Sequence, residues 1–145
     1  PGLHNAEFLR FGSIHRNSFL NAPHILNENL SLKAKPNVFI AGQLAGVEGY
    51  VESILGGLLA AKSIIPSAAL GHSVSNILSV LPETTISGQL WRHLITPKEN
   101  FQPMNANFGL LPPFTQKIKD KSLKKQMLAE RSLADLKETL AGIHS

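Results

Sequence analysis

The 145 residues include no cysteine, which excludes a disulfide framework, a thiolate metal site and a cysteine nucleophile. Aromatic side chains are also scarce, at 6% with one Trp and one Tyr. Long apolar runs are missing. The longest, residues 51–65, is broken by Glu52, Ser53, Lys62 and Ser63 and falls short of the roughly 20 residues that cross a bilayer. No membrane partner is expected. No basic-then-apolar leader opens the chain, so the expected location is cytoplasmic. The first residue is Pro1 rather than Met, which suggests a processed product or a piece of a longer protein. His4, His24, His72, His93 and His144 follow no metal-ligand spacing, and no metal is assigned.

What is present is the balance of a globular domain: 43% hydrophobic and 17% charged residues, 11 Gly and 9 Pro, with a mean hydropathy of +0.02. Residues 1–145 are read as one domain, since a chain of this size can bury a real core. The formal charge of +4 is unevenly placed. Residues 115–145 carry Lys117, Lys119, Lys121, Lys124, Lys125, Arg131 and Lys137 against Asp120, Glu130, Asp135 and Glu138, so most of the excess lies there. Such a cluster suits a polyanion such as RNA phosphates. On sequence alone the solvated helix face is the favoured reading, since no aromatic falls among its lysines to favour nucleic acid.

Along the chain, residues 7–13 read as a short extended piece, and Lys35, Pro36 and Asn37 as a turn. Val38, Phe39, Ile40 and Ala41 then fit a buried strand, as in a parallel sheet. Glycines follow at 42, 46 and 49, and then apolar residues at Val51, Ile54, Leu55, Leu58 and Leu59, the spacing of one helix face. Gly56 and Gly57 are costly inside a helix, so they imply close approach to another backbone or to a ligand. A second helix is predicted from Pro82 to Thr96. Residues 100–113 are irregular, with Asn105 and Asn107 tying the loop over Phe101, Met104 and Phe108. A basic helix over residues 115–142 is predicted to bury Leu123, Met127, Leu128, Leu133, Leu136 and Leu140.

A strand that empties through glycines into a helix, here residues 36–65, is an arrangement that binds anionic cofactors. The free amides and the dipole at the helix start both favour negative charge. The spacing is not the usual G-x-G-x-x-G, and a purely structural glycine turn explains it as well. Residues 38–61, VFIAGQLAGVEGYVESILGGLLAA, carry more than spacing. They resemble the C-terminal flavin-contacting segment of the GidA-related flavoproteins. The wording Gly-Val-Glu-Gly-Tyr-Val-Glu-Ser is similar to that of the family's folate- and FAD-dependent tRNA (uracil-5-)-methyltransferases. AEFLRFGSIHRNSFLNAP at residues 6–23 and NFQPMNANFGLLPP at residues 100–113 agree with the same family, in the same order.

The resemblance implies an α/β fold, the C-terminal part of an FAD-binding Rossmann-type domain with additional C-terminal helices. It implies FAD as cofactor, with methylenetetrahydrofolate and NAD(P)H as co-substrates, and tRNA as the acceptor of a methyl group on uracil carbon 5. By resemblance, Gly42, Gln43, Gly46, Val47, Glu48, Gly49 and Tyr50 lie along the isoalloxazine end of FAD, with amides placed to favour the charge that the ring gains on reduction. His15 would stack on the folate side with Arg16 meeting its polar groups, and Lys117, Lys121, Lys124 and Lys125 would contact tRNA. The family's N-terminal nucleotide loop and its cysteines have no counterpart here. The chain is therefore expected to supply half of a site, to need the N-terminal part of such an enzyme as partner, to be inactive alone, and to dimerise or rearrange its strands in isolation. Two alternatives stand beside this: a fragment of a GidA-type tRNA wobble-uridine modification flavoprotein, whose wording differs in two of the blocks, and a non-enzymatic RNA-binding module.

Overall fold

The computed structural model describes residues 2, 4–7, 18–64, 78 and 80–143. Their elements are a single helical turn α1 (Ala22–Ile25), strands β1 (Ser31–Leu32) and β2 (Lys35–Phe39), a 3-10 turn (Gly42–Ala45), helix α2 (Tyr50–Ile64), helix α3 (Ile86–Ile95), a second 3-10 turn (Phe108–Leu110) and the long helix α4 (Lys121–Ile143).

A strand does precede the glycines, but it ends at Phe39, Val38 and Phe39 are half-buried rather than buried, and its setting differs from the expectation. β2 pairs antiparallel with β1 as a two-stranded hairpin, and no parallel sheet occurs among the described residues. The expected turn at Lys35, Pro36 and Asn37 is itself the first half of β2, with all three side chains exposed. Pro36 is tolerated because an edge strand has one side on which no amide is required. The described residues thus form a helix-rich unit with a small antiparallel sheet. By themselves they are not a Rossmann fold, though they are consistent with part of a larger α/β domain.

The core gathers Leu26, Leu30, Val47, Leu59, Leu90, Trp91 and Leu94. Trp91 is buried, and its indole N–H donates to the Glu28 carbonyl at 2.8 Å, fastening α3 to the start of the hairpin. Helix α3 starts later than Pro82. Thr85 is its cap, its hydroxyl accepting from the Gly88 amide at 3.0 Å, and Pro82 lies in the turn before it, its carbonyl accepting from the Thr85 amide and hydroxyl.

The faces that helices α2 and α4 bury match the expectation only in part: Leu55, Leu59, Leu128 and Leu136 face the core, and the rest of each stripe does not. In α2 the buried residues are Glu52, Gly56, Leu59 and Ala60, whereas Val51, Ile54 and Leu58 of the expected stripe are exposed by 73%, 72% and 54%. The cause is Gly56, where an added Cβ would lie 3.0 Å from the Gly42 amide nitrogen. The helix presses its glycine face against the 3-10 turn and turns its larger side chains outward. Gly57, one residue on, meets open space. In α4 only Leu128 is buried and Leu136 packs against the core, while Leu123, Met127, Leu133 and Leu140 are exposed. The helix begins at Lys121, not Thr115, because the Asp120 carboxylate caps it, accepting from the amides of Ser122 and Leu123.

Candidate functional site

Gly42, Gly46 and Gly49 all have positive φ, at +64°, +103° and +118°, conformations that side-chain-bearing residues rarely adopt. The 3-10 turn Gly42–Ala45 closes at Gly46, whose amide donates to the Gln43 and Gly42 carbonyls. Helix α2 then starts at Tyr50, with the Ser53 amide donating to the Gly49 carbonyl at 3.0 Å.

Two of these glycines serve the chain's own packing. An added Cβ at Gly46 would fall 2.4 Å from the Phe101 ring, and one at Gly49 would fall 2.1 Å from the Glu52 carboxylate. Phe101 and Glu52 both belong to contacts that clasp residues 100–113 onto the glycine loop. Val47 and Met104 form a parallel bridge. The Glu48 amide donates to the Met104 carbonyl at 2.9 Å and the Met104 amide to the Gly46 carbonyl at 3.1 Å. The Ala106 amide donates to buried Glu52 at 2.7 Å. The irregular segment and the glycine loop are one unit.

His93 anchors that unit to α3. Its ring stacks on Phe101 with centroids 4.7 Å apart. Nε2 lies 3.0 Å from the Gln102 carbonyl and Nδ1 lies 3.0 Å from the Lys98 ammonium. A carbonyl only accepts and an ammonium only donates, so the ring is neutral with its proton on Nε2. Burial first, and then the Lys98 charge, lower its pKa from 6.5 to about 4, with the Gln102 hydrogen bond acting weakly the other way.

What remains open at the loop is the start of α2. The amides of Tyr50, Val51 and Glu52 have no acceptor within the helix, Tyr50 is 93% exposed, and Gln43 and Glu48 are half-buried. Such an edge, with amide donors along one rim and an exposed aromatic beside them, can take a flat ligand carrying partial negative charge. Val47 is buried, so it meets such a ligand only through its backbone. The Glu52 carboxylate accepts from the Ala106 amide and lies against Gly49 in the first turn of α2.

Of the other expected site residues, His15 and Arg16 lie outside the described residues, as does most of the extended piece over residues 7–13. Lys117, Lys121, Lys124 and Lys125 are exposed on the strap before α4 and on its first turns. In residues 100–113 Asn107 does tie the loop, accepting from the Gly109 amide and donating to the Asn105 carbonyl. Phe101 is buried and Met104 is partly buried against the core, but Phe108 is 40% exposed. Sequence reasoning missed Glu52 and His93. Glu52 was visible as a charge interrupting an apolar run, and His93 as a histidine inside a helix of high amphipathic contrast.

Comparisons with known proteins show what the chain is similar to. Residues 1–69 match the family described as glucose inhibited division protein A. The chain is 51% identical over 142 residues to methylenetetrahydrofolate–tRNA-(uracil-5-)-methyltransferase TrmFO of Carboxydothermus hydrogenoformans, a match covering 97% of this chain and 31% of that protein. It is 46% identical over 140 residues to TrmFO of Desulfitobacterium hafniense, covering 95% and 31%, and 44% identical over 142 residues to that of Magnetococcus marinus, covering 97% and 31%. The chain, a helix-rich unit clasped around a glycine loop, thus matches a segment of the GidA-related flavoprotein class. Within that class, the chain matches a segment of bacterial TrmFO over almost its whole length. The chain spans about a third of the length of these relatives.

Proposed function

We propose that this segment supplies one wall of the FAD and folate site in a cytoplasmic enzyme that forms 5-methyluridine in the tRNA T-loop, using methylenetetrahydrofolate and NAD(P)H. The observation that carries the reading is identity of up to 51% to TrmFO over 97% of the chain, together with a glycine loop whose open rim is intact. The family-level match to residues 1–69 is shared with GidA-type wobble-uridine proteins. The relatives named TrmFO extend it through residues 100–113 and α4, which favours the methyltransferase.

When bound, FAD supplies the redox chemistry that converts a methylene into a methyl group. This chain's own residues bind and orient. The amides at the start of α2 would hold the electron-rich edge of the bound ring and favour negative charge there. Gln43, Glu48 and Tyr50 border it, and the Glu52 to Ala106 clasp keeps the loop from relaxing. Folate-side contacts fall to His15 and Arg16. The chain holds no cysteine to attack uracil carbon 6, so it does not turn over alone.

The test is complementation. The 145-residue chain is mixed with the N-terminal two thirds of a TrmFO relative, and FAD binding and methyl transfer to T-loop uridine are followed. Binding and transfer are expected in the mixture and not in the chain by itself. Tyr50→Ala, at an exposed position, weakens FAD binding while leaving the melting temperature unchanged. A mixture that co-sediments but takes up no FAD overturns the reading.

A further inference from the structure

We propose that the groove between the strap at residues 113–118 and the first turns of α4 binds one unpaired nucleotide of an RNA, its base on Phe114 and its phosphate on Lys117 and Lys124. The proposal deepens the tRNA reading above and rests on it.

Phe114 is the first observation. The guanidinium of Arg131 lies 4.6 Å from the ring centroid, and Arg131 also donates to the Pro112 carbonyl. Stacked on one face and half-buried, the ring is a fixed platform. A groove of about 300 Å³ opens beside it, with Phe114, Ile118 and Pro113 as apolar lining and Lys117 and Lys124 contributing the charge. That volume is at the small end of ligand pockets.

Charge is the second. Among the described residues, none of Lys117, Lys121, Lys124 and Lys125 has a carboxylate partner, and Arg131 is held by a ring and a carbonyl. The nearest acid in sequence, Asp120, has its carboxylate engaged as the α4 cap. Two first-turn amides of α4, those of Ser122 and Leu123, are thereby satisfied, and the groove is argued from its ring and lysines alone. An uncompensated cationic rim around a rigid aromatic floor selects a polyanion with flat faces. Base stacking on such rings is tolerant of sequence, and lysines track the backbone. A duplex keeps its bases inside and cannot use the ring.

The test measures binding of the 145-residue chain to a labelled single-stranded RNA, the same sequence as a duplex, and polyglutamate. Single-stranded RNA is expected to bind tightest. Phe114→Leu weakens it about tenfold, and Phe114→Trp restores it. The pair Lys117→Gln and Lys124→Gln lowers the slope of log affinity against log salt by about 1.4. If the Leu variant melts early, the Trp and Gln variants decide. Equal affinity for single strand and duplex, with Phe114→Leu unchanged, overturns the groove while leaving a tRNA contact through charge standing. Polyglutamate bound as tightly assigns the face to acidic protein surfaces. No RNA binding even at low salt overturns both the groove and the tRNA contact of this segment.

Discussion

At the residue scale, the chemistry of His93, which holds the site to α3, shows only when its neighbours are known. His93 is neutral at pH values where a free imidazole is half-charged, because its Nδ1 faces an ammonium and its ring is buried against Phe101. The folded-state pKa is about 4 against 6.5 when free, so between those values the unfolded chain binds a proton that the folded chain refuses. The resulting stabilisation is complete above about pH 6.5 and is lost progressively as pH falls towards 4. Urea denaturation across that range is expected to show a falling midpoint, and His93→Gln, which can keep both hydrogen bonds, flattens the profile in that window. Gly46 gives the second prediction. Alanine there must adopt φ +103° and place Cβ 2.4 Å from the Phe101 ring, so Gly46→Ala destabilises the chain by about 2 kcal/mol or more. Thermal melts without any FAD will show the loss. A glycine-to-alanine change at 46 therefore reports on folding before it reports on cofactor, and Tyr50 is the better probe of the rim.

At the scale of elements, Gly56 and Gly57 separate two explanations that the sequence left merged. Gly56 is required where α2 meets the backbone of Gly42, while Gly57 is exposed and unopposed. Gly57→Ala removes a helix-interior glycine without meeting anything, and is expected to stabilise the chain by about 0.5–1 kcal/mol. An unchanged or lower melting temperature would contradict this. The same pair explains what was legible. A turn of glycines into a helix and a short strand before it can be read from local spacing, since positive φ and the helix period are written in residue types. Which face of α2 packs cannot. Val51, Ile54 and Leu58 outscore Glu52 and Gly56 on hydrophobicity, but the contact is set by backbone approach and by the Ala106 amide 54 residues away. The antiparallel partner of β2 was hidden for a similar reason. Ser31–Leu32 is two residues long, too short to show alternation. The fixed ring of Phe114 escaped because the basic stretch was read from residue 115 onward.

For the whole molecule, the decisive feature is one apolar face. Tyr50, Val51, Ile54 and Leu58 share one side of α2 at exposures of 54% or more, immediately beyond the glycine rim. Soluble monomers rarely leave such a stripe bare. The TrmFO relatives carry about two thirds of their length outside the matched segment, and under the function proposed above such a remainder would be the covering for this stripe. Without it, the stripe is expected to pair with itself. Sedimentation should show concentration-dependent dimers, and Ile54→Lys together with Leu58→Lys should return the chain to monomer with its melting temperature unchanged, since both side chains project into solvent. Adding the N-terminal two thirds of a relative is expected to replace the dimer by a one-to-one complex, which the lysine pair abolishes. A dimer that survives both the lysine pair and the added partner would place the self-contact elsewhere, on the exposed leucines of α4, and would remove the stripe from the route by which the half-site is completed.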